Sequence, residues 1–304
     1  MSKKNLISAG AGIAGRNKRY VIWFYFLNLV CAWLGASGLA THAHAIMDHS
    51  LYSDRLLHGF DLAVFVELIN LPEFGAVRNS AVPATIFAML FFIASLLLMP
   101  GVLLGYASDH RLPRDEFFRA CGRNVWRFVR LFLMFAIVAG ILSGLLYWGL
   151  DALVTAADKT SNERLPFFTQ VGGTLVILVI LTLFRIWFDL AQTDVVLRDQ
   201  GAVRKSLAPA YRSTRQNLWP LLASYVTIGV VAIAVLIAGI LLWNRIVPPA
   251  SVLGAFLISQ STLLLLLGMR FWQRATAVAF YLRQRDELMV EDTRAVGTLQ
   301  SVAL

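Results

Sequence analysis

The chain has 304 residues, of which 58% are apolar and only 15% charged, with a mean hydropathy of +0.67 and a net charge of +9. That composition excludes an ordinary soluble domain. Because a helix that crosses a bilayer takes ~20 apolar residues, little chain is left outside a membrane. The economical division is one membrane domain over residues 1–290 and a short cytoplasmic tail over 291–304.

The positive charge fits nucleic acid as well as a membrane surface, so its placement decides. Six apolar stretches stand out, at 20–40, 82–106, 131–153, 167–190, 220–243 and 252–270. Assigning their flanks alternately puts 22 Lys and Arg on one side and five on the other, namely Arg55, Arg78, Lys159, Arg164 and Arg245. The positive-inside rule then places both termini in the cytoplasm. No aromatic stacking platform or reading module accompanies the charge, so no nucleic-acid partner is expected. The fold class expected is an all-α integral membrane protein of six spans.

The basic start "MSKKN" and the end Ala43-His44-Ala45 imitate a signal peptide. The apolar run between them exceeds the ~7–15 residues of a signal core, so a retained first span is expected. Just beyond it, "THAHAIMDHS" gathers His42, His44, Asp48 and His49. Histidines two apart do not share a helix face, and the stretch reads as an interfacial polar cap rather than a metal or haem site. In the next loop Leu56, Leu57, Phe60, Val64 and Leu68 recur at helical spacing, which predicts an amphipathic helix on the outer surface. Met99-Pro100-Gly101 interrupts the second span.

Before the third span, "RDEFFRACGRNVWRFVR" sets Arg119, Arg123 and Arg127 on one face and Phe117, Cys121, Val125 and Phe128 mainly on the other. This predicts a basic helix lying on the cytoplasmic surface. Within the span, Ala136, Gly140 and Gly144 recur at intervals of four, as Ala32, Ala36 and Ala40 do in the first. Such stripes let helix backbones approach closely, whether the neighbour belongs to this chain or to another.

The fourth span, "LVILVILTLFRIWFDLAQTDVVLRD", runs from apolar residues straight into Arg185 and Asp189. A central Arg or Asp costs roughly 2.5–3.5 kcal/mol, while each Leu, Ile, Phe or Val returns only about 0.3–0.6. Two central charges would cancel most of that gain, so both belong at the cytoplasmic edge, where Arg185 can snorkel to water. Asp189 and Asp194 are also the candidates for a proton or cation site, although such sites usually lie at mid-membrane.

A second basic segment, "RKSLAPAYRSTRQNLWPLL", carries Arg212 and Arg215 and repeats the first. A shift of 93 residues lays Phe118-Arg119 on Tyr211-Arg212 and Asn124-Val125-Trp126 on Asn217-Leu218-Trp219. This predicts a parallel internal repeat over 82–150 and 175–243. Arg119, Arg123, Arg127, Arg212 and Arg215 are the candidate contacts for anionic lipid head groups, at about 1 kcal/mol each.

The end of the sixth span, "MRFWQRATAVAFYLR", echoes the fourth and aligns Arg270 with Arg185, Trp272 with Trp187 and Arg274 with Asp189. If the two helices adjoin, Asp189 is shared between Arg185 and an arginine of span six, Arg270 or Arg274. Because span one also follows a basic segment, "GRNKRYVIW", spans six and one extend the repeat to a third unit.

Six spans with basic connections and an Asp- and Arg-bearing end to the fourth resemble a loose group of poorly characterised bacterial membrane proteins. The chain looks like the membrane domain that accompanies some glycerophosphodiester phosphodiesterases, most closely over Arg185 to Trp219. The resemblance does not reach their catalytic domain and implies no such activity.

No G-x-S-x-G, Walker loop, HExxH or CxxC occurs, and Cys31 and Cys121 have no ligand-like spacing. No catalytic residue, metal or cofactor is therefore expected. The reading favoured is a non-enzymatic inner-membrane accessory or structural subunit that packs with partner membrane chains and anionic lipids. The alternative is a transporter or permease for a lipid or small solute, which would need a polar cavity between spans two and four.

Overall fold

The computed structural model describes residues 5–47, 66, 72–108, 110–160, 162, 164–198, 203–248 and 251–302, and among them it contains eight helices and no strand. In chain order these are α1 (Leu6–Arg16), α2 (Lys18–Met47), α3 (Pro72–Ala107), α4 (Arg114–Asp158), α5 (Leu165–Leu197), α6 (Val203–Gln216), α7 (Leu218–Ile246) and α8 (Val252–Val302). Six of them, α2, α3, α4, α5, α7 and α8, are long and apolar enough to cross a membrane, which supports a multi-pass membrane protein. The outer amphipathic segment, Asp48, His49 and the side chains of His42 and His44 lie outside the described residues.

The basic segment before span three is not a separate surface helix. It forms the first turns of α4, whose 45 residues run unbroken through the span. At 1.5 Å per residue such a helix is far longer than the ~30 Å hydrocarbon core needs. Its start is well specified. Pro113 takes extended backbone ahead of it, and Asp115 and Glu116 place negative charge in the first turn, where the helix dipole favours it. The equivalent segment before span five does form its own helix, α6, which breaks from α7 at Asn217, as α1 breaks from α2 at Asn17. Helix α8 continues without a break past residue 290, to Val302.

The chain divides into two compact units. The first comprises Met1–Asn17, Leu97–Val230 and Phe271–Leu304. It holds most of the buried side chains, and the predicted repeat reappears in its packing. Shifted by 93 residues, buried Phe117, Cys121, Asn124, Phe128, Leu131 and Phe135 fall on Ala210, Thr214, Asn217, Leu221, Ser224 and Ile228. All of the second set are buried except half-buried Asn217.

The three asparagines Asn17, Asn124 and Asn217 make the same bond. Each amide Nδ2 donates to the carbonyl four residues earlier, at 3.2, 3.0 and 3.3 Å. Such back-bonding satisfies a polar side chain locally on a half-apolar face. Each of the three helical segments also covers the end of an apolar helix. Trp187 Nε1 of α5 donates to Leu207 O of α6 at 3.1 Å, and Trp272 Nε1 of α8 donates to Ile7 O of α1 at 2.9 Å. Both acceptors lie ten residues before the matching asparagine. In the remaining pair, Cys121 Sγ lies 3.7 Å from Leu98 O, and Gly101 of α3 sits directly beneath the Phe117 ring of α4. The contact of α8 with α1, from the two ends of the chain, therefore repeats that of α5 with α6.

The second unit comprises Lys18–Leu96 and Val231–Arg270. Here α2 meets α3 at Gly35, where an added Cβ would lie 3.1 Å from the Ala84 Cα. That glycine makes the close approach on span one, whereas Ala32 and Ala36 of the predicted stripe are exposed. Gly239 of α7 meets Thr262 of α8, and the Tyr25 hydroxyl of α2 donates to Gln260 Oε1 of α8 at 3.1 Å.

Candidate functional site: the carboxylates of α5

The last two turns of α5, Asp189 to Val196, are buried without interruption. A carboxylate cannot be buried cheaply unless it is paired and hydrogen-bonded, so the partners of Asp189 and Asp194 determine what this segment does.

Asp189 is 5% exposed. Its closest described partner is the hydroxyl of Tyr225 on α7, which donates to Oδ2 at 2.8 Å. Arg185 Nε lies 3.9 Å from the same oxygen, too far for a hydrogen bond but close enough to supply charge, and its side chain is 40% exposed. The predicted approach of Arg185 to Asp189 within one helix is thus present, at 3.9 Å. Gln273 of α8 completes the tie by donating Nε2 to the Tyr225 carbonyl at 3.3 Å. Arg274 is half-buried, with its guanidinium 5.8 Å from the Phe271 ring. Arg270 is exposed.

Tyr225 was missing from the sequence reading. It is a lone hydroxyl in an apolar span, and its repeat-equivalent position holds Phe132, so periodicity gave no sign of it.

One turn further along α5, Asp194 is 2% exposed. Arg198 Nε pairs with Oδ1 at 3.0 Å, and the Tyr281 hydroxyl of α8 donates to the same oxygen at 2.9 Å. Arg198 Nε also donates to the Tyr281 hydroxyl at 2.9 Å, closing a three-membered ring. Burial works against the Arg198 charge, but Asp194 and Tyr281 more than offset it and hold the guanidinium pKa above its ordinary value. Oδ2 of Asp194 is buried and has no hydrogen-bond partner among the described residues.

Beside this ring lies a cavity of about 380 Å³ lined by residues of α5, α6 and α8, with Arg198 just past the end of α5. Its walls include Asp194, Arg198, Arg212, Ser213, Tyr281 and Arg285. The Ser213 hydroxyl donates to Gln284 Oε1 at 3.0 Å and so ties α6 to α8 along one wall. No residue of α3 lines this cavity, so it is not the space between spans two and four that a transporter was expected to need.

Of the five arginines proposed for lipid head groups, Arg119, Arg123, Arg212 and Arg215 are exposed, and Arg127 is half-buried and donates to Asn124 Oδ1 at 3.2 Å. Only Arg212 of the five lines the cavity. Among the described residues no group of three or more His, Cys, Asp or Glu is placed to hold a metal ion. No protein-family model, no curated protein and no solved structure matches the chain.

Proposed function

We propose that this protein is a non-enzymatic accessory subunit of a bacterial inner membrane, with both termini cytoplasmic, that packs against a membrane helix of another polypeptide and against anionic lipid. The observation that carries this reading is the small-residue stripe on α4. Ala136, Gly140 and Gly144 are all exposed, and a Cβ added at either glycine would meet nothing within 4 Å. The flanking Ile137, Ile141 and Leu145 are 60–62% exposed and would wall such a seam. Lipid tails are as apolar as leucine, so a smooth seam of small residues gains its packing energy from a closely approaching helix rather than from lipid. The buried carboxylates of α5 fit the same reading, since their described partners tie helices of this chain together. The exposed arginines of α4 and α6 supply the attraction to anionic head groups.

The test is isolation of the native protein in mild detergent with mass spectrometry of what accompanies it, for the wild type, Gly140→Leu and Gly144→Leu. A stoichiometric membrane protein should accompany the wild type and be lost from both variants at unchanged melting temperature. Retention of every companion by both variants rejects the seam.

A further inference from the structure

We infer that the cavity among α5, α6 and α8 is a binding site for a phosphate ester that carries a neighbouring hydroxyl, the chemistry of an anionic phospholipid head group. Two independent observations converge on it. The first is charge. Arg198, Arg212 and Arg285 all line the cavity, against the single carboxylate of Asp194. Arg198 spends its Nε on Asp194 and Tyr281, whereas Arg212 and Arg285 are exposed and have no ion pair among the described residues. Arg212 and Arg285, from α6 and α8, thus bring two guanidiniums without a described ion pair to one cavity, and guanidinium meets phosphate oxygens by charge-assisted hydrogen bonds. The second observation is the orphaned acceptor. Asp194 is 2% exposed and lines the cavity, yet its Oδ2 has no described donor. Buried acceptors are seldom left unsatisfied, and a hydroxyl beside the phosphate would supply what Oδ2 lacks. The Arg198–Asp194–Tyr281 ring engages Oδ1, so Oδ2 is the oxygen of Asp194 left without a described donor.

The proposal rests on the membrane-accessory reading only for the source of the ligand. The site itself is a property of this chain and can fail while partner packing stands. It also differs from diffuse attraction to the basic helices, because Arg119 and Arg123 belong to α4 and do not line the cavity.

The experiment uses the full chain in phosphatidylcholine nanodiscs doped with phosphatidylglycerol or with phosphatidylmethanol, and native mass spectrometry of the lipid retained. Phosphatidylmethanol has the same phosphodiester charge and no hydroxyl. Wild type should retain phosphatidylglycerol about tenfold over phosphatidylcholine and several-fold over phosphatidylmethanol. Arg212→Gln/Arg285→Gln should lose the charge preference, and Asp194→Asn should lose the preference between the two anionic lipids. Arg119→Gln/Arg123→Gln, which removes only diffuse attraction, should lower the charge preference less than the cavity pair does and keep the preference between the two anionic lipids. Displacement by millimolar inorganic phosphate would assign the cavity to a soluble phosphate compound, and resistance to it would assign the cavity to lipid. Equal loss of retention in the cavity and α4 double variants would overturn the site, as would full retention in Arg212→Gln/Arg285→Gln. Equal retention of phosphatidylglycerol and phosphatidylmethanol by the wild type would overturn the role of Asp194. Because Arg212 and Arg285 are exposed, their replacement leaves the fold intact, and a melting curve checks this directly.

Discussion

Asp189→Ala is expected to lower stability in detergent by roughly 2–3 kcal/mol, whereas Glu287→Ala should change it by less than about 0.5. Both residues sit in i,i+4 pairs with an arginine, Arg185 and Arg283, so a count of ion pairs would treat them alike. They differ in burial. Glu287 is 67% exposed and its loss leaves two solvated groups, while Asp189 is 5% exposed and accepts from Tyr225, itself 1% exposed. Removing the carboxylate strands a buried hydroxyl, and an orphaned buried donor costs about 1–3 kcal/mol. The charge component adds little, because Arg185 is 40% exposed and can turn to water.

Two companion variants separate these contributions. Asp189→Asn keeps an acceptor for Tyr225 and should recover most of the loss. Asp189→Leu combined with Tyr225→Phe removes both polar partners and should be more stable than Asp189→Ala. Equal melting temperatures for Asp189→Ala and Glu287→Ala would show that the tie between α5 and α7 contributes nothing.

Gly10→Leu should detach α1 from α8. A Cβ at residue 10 would collide with the Thr276 hydroxyl and come within 2.8 Å of the Thr276 Cα, so backbone rather than a flexible side chain would have to give way. Overpacking at such a contact typically costs about 1–3 kcal/mol, and here it also threatens the Trp272 bond to Ile7. Gly12→Leu, two residues along the same helix, meets nothing within 4 Å and should instead gain up to about 1 kcal/mol of helix propensity. Trypsin supplies a readout besides melting. With α1 detached, cleavage after Arg16 should accelerate several-fold in Gly10→Leu and not in Gly12→Leu. Unchanged cleavage in both would mean that the chain ends do not form a third repeat unit.

The spans could be read from the sequence because runs of apolar residues are their own signal, and the repeat because its polar landmarks survive in helices that otherwise resemble one another. Asn124 and Asn217 aligned by sequence and make the same bond; Trp187 and Trp272 aligned and make the same inter-helix donation. Periodicity also placed Phe117, Cys121 and Phe128 on the buried face. It could not decide whether that face lay on a separate helix, because a helical pattern fixes a face and not a bend. The clue to continuity was an absence, since no proline occurs between Pro113 and Pro166.

Tyr225 was not legible for a different reason. A single hydroxyl has no period, and only the position of its helix beside α5 makes it the partner of Asp189. The close approach at Gly35 was missed because the four-residue alanine stripe beside it gave the stronger pattern. On span three the spacing put Ala136, Gly140 and Gly144 on one face, but which way that face points depends on packing that the sequence does not encode locally.

That outward seam is where the functional account is most exposed. A photo-crosslinking residue placed at Gly144, and separately at Val138 on the far side of α4, should be irradiated in native membranes. The account predicts a discrete protein adduct from position 144 and only lipid adducts from position 138. Lipid adducts alone from both positions would contradict it.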